Sequence, residues 1–199
     1  MARKSKYITQ FFNRDRLAFT ALSRVGHVAH DQLRSCGLAD SRIKNLLRDG
    51  YIEKVAFKRD GKIEECYKLT KNGRETASSL WGLERAYHAQ SPCHDLALAE
   101  KYFSLTPELR DSWKTENQLR DRFHERINVL YDLGKVTEAK MYEDMLAKGL
   151  ISMPDASYTI QGDNETAIEI ITNTYGQAEL SAKEAFVEFM NMQYETMRV

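Results

Sequence analysis

The fold is indicated most clearly by residues 38–74, LADSRIKNLLRDGYIEKVAFKRDGKIEECYKLTKNGR. Along this stretch the spacing of apolar residues changes once, from helical to strand-like. Apolar residues recur at helical spacing over residues 41–48, and Gly50 ends that helix. The residues on both sides of Asp60-Gly61 are typical of β-strands, and this dipeptide is a strong hairpin signal because both positions tolerate positive φ. The stretch therefore predicts a helix followed by a two-stranded hairpin.

Further helices are predicted on both sides of this stretch. Helical spacing of apolar residues predicts one helix over residues 15–25 and a short second one over His30–Ser35. Thr70 is the expected N-cap of a helix after the hairpin, and we expect that helix to continue through residues 75–90, where it offers either a dimer contact or burial within its own domain. Ser91-Pro92 then breaks the helix and marks the predicted domain boundary.

Three helices, a hairpin and another helix are the element order of a winged helix-turn-helix. Leu38, Ile43, Leu46-Leu47 and Gly50-Tyr51-Ile52, followed by Tyr67-x-Leu69-Thr70-x-x-Gly73-Arg74, also closely resemble bacterial winged-helix regulators. We therefore predict an α+β, mostly helical protein with a winged helix-turn-helix over residues 1–90. A C-terminal helical domain with a small β-sheet is predicted over residues 91–199.

The outward faces of the third helix and of the hairpin are polar and basic. A helix fits the DNA major groove, where Arg pairs with guanine and Asn with adenine, so Arg42, Asn45 and Arg48 are candidates for base contacts. Lysines around them are candidates for phosphate contacts. The basic arm Arg3-Lys4-Lys6 offers more of these, or else is a disordered terminus. The predicted DNA-binding residues are Ser41, Arg42, Lys44, Asn45, Arg48, Lys54, Lys58, Arg59 and Lys62.

Charge is divided unevenly although the formal net charge is zero. Residues 1–90 hold 18 Lys/Arg and 10 Asp/Glu, whereas residues 91–199 hold 11 and 19. The basic half suits a polyanion, while the acidic half repels phosphates. We therefore expect double-stranded DNA as the partner of the first half. The second half is expected to form a homodimer or to dock a replication, relaxase or transcription partner protein.

Cysteine usage and hydropathy indicate a cytoplasmic protein. Cys36, Cys66 and Cys93 are far apart and form no C-x-x-C pair, so neither a disulfide framework nor a zinc site is indicated. No apolar run approaches the roughly 18 residues that span a bilayer, and the basic N-terminus leads into no signal sequence. We expect no membrane partner and no cofactor.

Helices and strands are both predicted in the second half. We expect helices over residues 94–103 and 106–112, and one or two helices up to residue 148, divided at Gly134 and begun by a capping box at Thr115 and Gln118. Strands are predicted over residues 150–154, 157–160 and 166–172. A final helix over residues 181–192 is expected to leave no room for a closing strand.

Four short stretches resemble the replication-relaxation family of proteins from plasmids and other mobile elements. The resemblance implies a winged helix followed by a remnant of a PD-(D/E)XK nuclease-like domain. It also implies a transcriptional regulator, or an accessory factor in plasmid replication or conjugative mobilisation. The stretches are Leu69-Thr70-Lys71-Asn72-Gly73, Cys93-His94-Asp95-Leu96, Trp113-Lys114-Thr115-Glu116-x-x-Leu119, and Met153-Pro154-Asp155-Ala156 with Ile168-Glu169-Ile170.

The acids of the second half are weak candidates for a metal site. Asp155 and Glu169 are expected side by side, and Glu116 could join them, since two or three carboxylates suit Mg²⁺. However, the nuclease pattern needs a lysine two residues after the second acid, and that position is Ile171. We therefore expect no enzymatic activity and no bound metal. A Mg²⁺-dependent nuclease and a protein-interaction scaffold remain the alternatives.

Overall fold

A computed structural model of the chain describes residues 6–89, 91–160, 164–173 and 175–199, with the backbone alone at residue 164. These residues form nine α-helices and two small β-sheets, which confirms the mostly helical α+β class. They group into two compact units, residues 1–104 and 105–199. Among the described residues, no helix combines the length and the apolar character needed to cross a membrane. Arg3 and Lys4 of the predicted basic arm lie outside the described residues.

The first unit contains the predicted order of three helices, a hairpin and a further helix. The strands pair antiparallel along their whole length, and the turn residues Asp60 and Gly61 both have positive φ, 49° and 80°. An isolated bridge between Val28 and Tyr67 adds a third chain segment beside the hairpin. The elements are α1 (Asn13–Val25), α2 (His30–Ser35), α3 (Asp40–Arg48), β1 (Ile52–Arg59), β2 (Lys62–Leu69), α4 (Lys71–Trp81) and α5 (Pro92–Ser104).

Close packing joins the start of α4 to the chain that leaves α3. Thr70 caps α4 as predicted, accepting a hydrogen bond of 3.0 Å from the amide of Gly73, and its hydroxyl donates to the carbonyl of Gly50 at 2.6 Å. A Cβ at Gly73 would lie 1.9 Å from the carbonyl oxygen of Tyr51, so only glycine fits there. These contacts fix the hairpin relative to α3.

The prediction that α4 continues through residue 90 is wrong. The helix ends at Trp81 because Gly82 adopts a left-handed conformation, with φ of 62°. The Trp81 ring packs edge-on against Phe19, with ring centroids 5.2 Å apart, and against Phe11. Trp81 is therefore used inside its own unit, the second of the two predicted possibilities.

The domain boundary predicted at Ser91-Pro92 falls inside the first unit. Helix α5 packs on α1 and contacts β1, so the compact unit continues to Ser104. Asp95 of α5 forms a buried contact of 2.8 Å with Nδ1 of His27, just after the end of α1. The sequence break at Pro92 marks the start of a helix within the unit.

The second unit is built from helices and a four-stranded sheet in the order β3-β4-β5-β6. The pairs β3–β4 and β4–β5 are antiparallel, whereas β5–β6 is parallel. The elements are α6 (Pro107–Asp111), β3 (Lys114–Thr115), α7 (Glu116–Asp132), α8 (Val136–Ala147), β4 (Ala156–Ile160), β5 (Asn164–Ile171), α9 (Gln177–Met190) and β6 (Gln193–Arg198).

Two strand predictions for this unit are wrong. Residues 150–154 form no strand, because Ile151 and Met153 are buried among α7, α8 and α9 and the amide of Ser152 donates to the carbonyl of Ala182. A closing strand exists where none was expected: after Asn191 ends α9 with φ of 54°, β6 returns beside β5.

Two helix predictions for this unit are confirmed. Gln118 accepts a hydrogen bond of 3.0 Å from the amide of Thr115, as the predicted capping box requires, and Gly134 with φ of 74° separates α7 from α8. The core of the unit is the face shared by α7, α8 and α9. It consists of Leu119, Phe123, Ile127, Leu130, Ala139, Ile151, Met153, Phe186 and Phe189.

Candidate nucleic-acid interface

Helix α3 exposes one polar face of the first unit. Ile43 and Leu46 are buried and anchor the helix on the core. Ser41 and Lys44 are exposed on the opposite side, and Asn45 is half-buried between them and the helix flank. Their side chains make no hydrogen bond or ion pair within the described part of the chain. Three of the nine predicted residues therefore lie together with free polar groups.

Arg42, predicted to contact bases, is held in a buried ion pair in this structure. Its Nε and Nη2 donate to the two carboxylate oxygens of Asp15, both at 2.8 Å, and Nη2 also donates to the carbonyl of Gln10. Asp15 is completely buried and accepts a further hydrogen bond from the amide of Phe12. This bidentate ion pair fastens α3 to the start of α1.

Arg48 lies at the exposed C-terminal end of α3, but its guanidinium is already occupied. Its Nε and Nη2 donate to Oδ1 of Asp49 at 3.1 and 2.9 Å, and it lies over the ring of Tyr7. The second oxygen of Asp49 accepts from the amide of Ile8 at 2.7 Å. Arg48 thus anchors the segment before α1, and Lys6 of that segment donates to the Tyr51 hydroxyl at 3.1 Å.

The hairpin has paired charges near its base and unpaired charges at its tip. Lys54 lies 2.8 Å from Glu65, and Lys68 lies 3.4 Å from Glu53, each across the two strands. At the hairpin tip, residues 58–62, no ion pair forms within the described residues. The tip cations are Lys58, Arg59 and Lys62. The free positive charge of the hairpin is therefore concentrated around its turn.

A hollow of about 370 Å³ lies between α3 and the base of the hairpin. Asp40 and Glu65 are part of its lining, and Asp40 contacts both His30 and Arg34 at 3.2 Å. These carboxylates compensate the cations around them. Lys44 also lines the hollow, whereas its lining includes none of the hairpin-tip cations.

In the second unit, Asp155 and Glu169 lie side by side as predicted. The amide of Asp155 donates to Oε2 of Glu169 at 3.1 Å, and the amide of Ile170 donates to Oδ2 of Asp155 at 2.8 Å. Glu116 does not join them with its carboxylate, which pairs with Arg120 at 2.9 Å. Its amide donates to the carbonyl of Asp155.

A lysine that sequence reasoning missed reaches this acid pair from α9. Nζ of Lys183 lies 3.1 Å from Oε1 of Glu169 and donates to the carbonyl of Met153 at 2.6 Å. The hydroxyl of Tyr175 donates to the same Glu169 oxygen at 2.6 Å. A lysine on a separate helix has no fixed spacing from the acid, so the sequence offered no signal for it.

Burial governs the electrostatics of this acid pair. Desolvation and the neighbouring Asp155 raise the pKa of Glu169 to about 7, although Lys183 and Tyr175 oppose them. Both carboxylates are buried. Glu169 accepts from the amide of Asp155 and from Tyr175 and pairs with Lys183, and Oδ2 of Asp155 accepts from the amide of Ile170. Among the described residues, no three His, Cys, Asp or Glu side chains come together as a metal site. The arrangement joins β5, α9 and the chain before β4.

Glu165 precedes Glu169 on β5, and the environment of its carboxylate has the opposite electrostatic effect. It accepts from Ser157 at 2.6 Å and pairs with Lys114 at 3.1 Å and with Arg122. Burial alone would raise its pKa, but these donors outweigh burial and lower the pKa.

No family model, curated protein or solved structure matches the chain. The resemblance to the replication-relaxation family therefore stays a prediction from the short motifs quoted above.

Proposed function

We propose that the chain is a sequence-specific double-stranded DNA-binding protein whose first unit acts as a winged helix-turn-helix. The observation that carries the proposal is the free polar face of α3 beside a hairpin whose tip cations are unpaired. In this arrangement α3 enters the major groove, where Asn45 has the two-pronged amide that recognises adenine. Lys44 and the cations of the hairpin tip then contact phosphates.

Charge supports docking through the first unit. Residues 1–104 contain 19 Lys/Arg and 12 Asp/Glu, whereas residues 105–199 contain 10 and 17. The polyanion attracts the first unit and repels the second, which biases the orientation of encounter. The second unit is then left for protein contacts.

The resemblance of the short motifs to the replication-relaxation family supports a biological process in which this DNA binding takes part. We assign the protein to a mobile element, where it acts in the cytoplasm as a transcriptional regulator or as an accessory factor in plasmid replication or conjugative mobilisation. Both roles need specific recognition of a duplex site. The partner that uses the bound complex would be a replication, relaxase or transcription protein.

Selection from a pool of random duplexes tests the proposal. We expect the full chain to enrich one motif and to bind it at least about 10³-fold more tightly than unrelated DNA, with affinity falling steeply as salt rises. Fluorescence anisotropy on the selected and a scrambled duplex measures both. A pool without enrichment would contradict the proposal and would favour a protein-interaction scaffold.

A Mg²⁺-dependent nuclease is the second candidate, and one contact favours it. Lys183 supplies a cation 3.1 Å from Glu169, in place of the lysine absent at Ile171. Against it, both side chains are buried, and a metal would have to displace the donors that Glu169 holds at both of its oxygens and that Asp155 holds at Oδ2. We expect intact plasmid after incubation with the protein in Mg²⁺ or Mn²⁺. Cleavage by the wild type, lost in both Asp155→Asn and Glu169→Gln, would establish the nuclease instead.

A further inference from the structure

The second unit carries a groove of about 460 Å³ along α7, α8 and α9, lined by both apolar and charged side chains. Its floor is formed by core side chains, among them Leu130, Tyr142 and Phe189. Its walls are exposed: Leu133 is 67% exposed, and Val129 and Met141 are each about half exposed. Single exposed apolar residues are ordinary on protein surfaces, but a contiguous set around one groove marks an interaction site.

The charges around the groove are balanced in number and sign. Two cations and two carboxylates line it: Arg126, Lys135, Glu138 and Glu188. Lys135 and Glu138 lie 3.4 Å apart and compensate each other. Arg126 lies over the Phe189 ring, and neither Arg126 nor Glu188 has an ion-pair partner within the described residues. One free cation and one free carboxylate therefore flank the same apolar surface.

This pattern is self-complementary. In a two-fold symmetric contact a surface meets a copy of itself, so Arg126 of each chain can face Glu188 of the other, and the two ion pairs form together. The second unit as a whole is acidic, with 17 acids against 10 bases over residues 105–199, so its net charge opposes contact between two second units except where the surface is locally balanced. The groove combines local charge balance with exposed apolar area.

We propose that this groove is a homodimer interface, in which each copy packs Leu133 and Met141 of its α7–α8 hairpin against the groove of the other. Two antiparallel helix pairs stacked in this way bury a common apolar seam. The partner is a second copy of this chain, because a strongly charged partner would leave the balanced rim uncompensated. The proposal does not rest on DNA binding, but a dimer would present two copies of α3 to a repeated site.

Sedimentation velocity of the full chain without DNA tests the interface. We expect a dimer at tens of micromolar for the wild type and a monomer for Leu133→Lys, which places a charge in the seam. Ile160→Lys is the matched control, since Ile160 is also exposed, at 42%, and lies in the same unit outside the groove. Circular dichroism melting checks that both variants stay folded.

A charge exchange separates this interface from any other dimer. Arg126→Glu alone and Glu188→Arg alone should each weaken dimerisation about tenfold or more, because like charges then meet twice across the axis. The double variant should restore dimerisation to within about threefold of the wild type. A monomeric wild type, a dimer that Leu133→Lys leaves intact, or a double variant as weak as the single ones would overturn the proposal. None of these results depends on whether the chain binds DNA.

Discussion

At the scale of single residues, Arg42 and Asp15 hold α3 in place. The carboxylate of Asp15 is completely buried and receives two hydrogen bonds from Arg42 and one from the amide of Phe12. A buried charge that loses its partner retains its desolvation cost without the compensating attraction. The pair therefore contributes to how α3 presents its outer face.

Arg42→Ala should lower the free energy of unfolding by about 3 kcal/mol or more, because Asp15 would be left buried and unpaired. Lys44→Ala, on the exposed face of the same helix, should change it by no more than about 0.5 kcal/mol. Urea unfolding of the full chain, followed by circular dichroism, measures both. Equal stability of the two variants would show that the ion pair is not needed.

Glu169 should give the wild type a stability that falls as pH rises. Its folded pKa is raised to about 7 from 4.5, so its contribution is complete below about pH 4.5 and is lost as pH rises towards 7. Relative to the wild type, Glu169→Gln should gain stability between pH 5 and pH 7.5, by at most about 1.4 kcal/mol per pH unit. Urea midpoints at these two values test this.

Glu165→Gln is the control with the opposite sign. Because the folded pKa of Glu165 is lowered, its contribution is present above its ordinary pKa and is lost in acid, as pH falls through the lowered value. The advantage of the wild type over this variant should persist at pH 7 and shrink below about pH 4.5. The same pH trend in both variants would contradict the assigned environments.

At the scale of elements, the hairpin carries both ion-paired and unpaired lysines. Lys54 is paired with Glu65, whereas Lys58 at the hairpin tip is unpaired. Lys58→Ala should weaken binding to all duplexes alike and reduce the slope of log affinity against log salt by about 1. Lys54→Ala should change that slope less, because its charge is already compensated. Anisotropy titrations at several salt concentrations measure the slopes; equal changes would contradict the division of the hairpin.

Helix α5 belongs to the first unit, so a fragment cut at the predicted boundary should be damaged. A fragment of residues 1–104 should unfold cooperatively. A fragment of residues 1–90 lacks Leu96 and Leu98, which are buried in α5, and leaves His27 without Asp95. We expect it to be less stable by roughly 3 kcal/mol or more, since a buried leucine contributes about 1.5–3 kcal/mol. Equal urea midpoints would place the boundary back at residue 91.

Local signals explain which elements were predictable. The turn at Asp60-Gly61, the cap at Thr70 and the break at Gly134 depend on neighbouring residues, and each was found from sequence. Residues 150–153 alternate in burial because Ile151 and Met153 enter a helical core, and β6 depends on β5 for its hydrogen bonds. Such conformations are set by tertiary packing, which periodicity does not record.

The same difference between local signals and tertiary packing decides which candidate site residues were predictable. The exposed face of α3 at Ser41, Lys44 and Asn45 follows from helical periodicity, which sequence contains. The partners of Arg42 and Glu169 do not follow from periodicity, because Asp15 is 27 residues from Arg42 and Lys183 lies on a separate helix. A side chain that the sequence indicates is free for function can thus already form an ion pair with a residue far away along the chain.

At the scale of the whole molecule, opposite charges are separated between two compact units. The first unit carries the unpaired cations of the hairpin tip and the polar face of α3, and the second carries the acidic excess and the groove along α7, α8 and α9. This separation supports the proposal that the free face of α3 reads the sequence of a DNA duplex.

The most direct test is to repeat the selection from random duplexes with Asn45→Ala. We expect specific binding to weaken by about 1–3 kcal/mol and the preference to relax at one base position, while affinity for unrelated DNA stays the same. Asn72→Ala is the matched control, because Asn72 lies on α4 and donates to the carbonyl of Gly50. Selection by Asn45→Ala of the wild-type motif, with unchanged preference at every position and unchanged affinity, would contradict the claim.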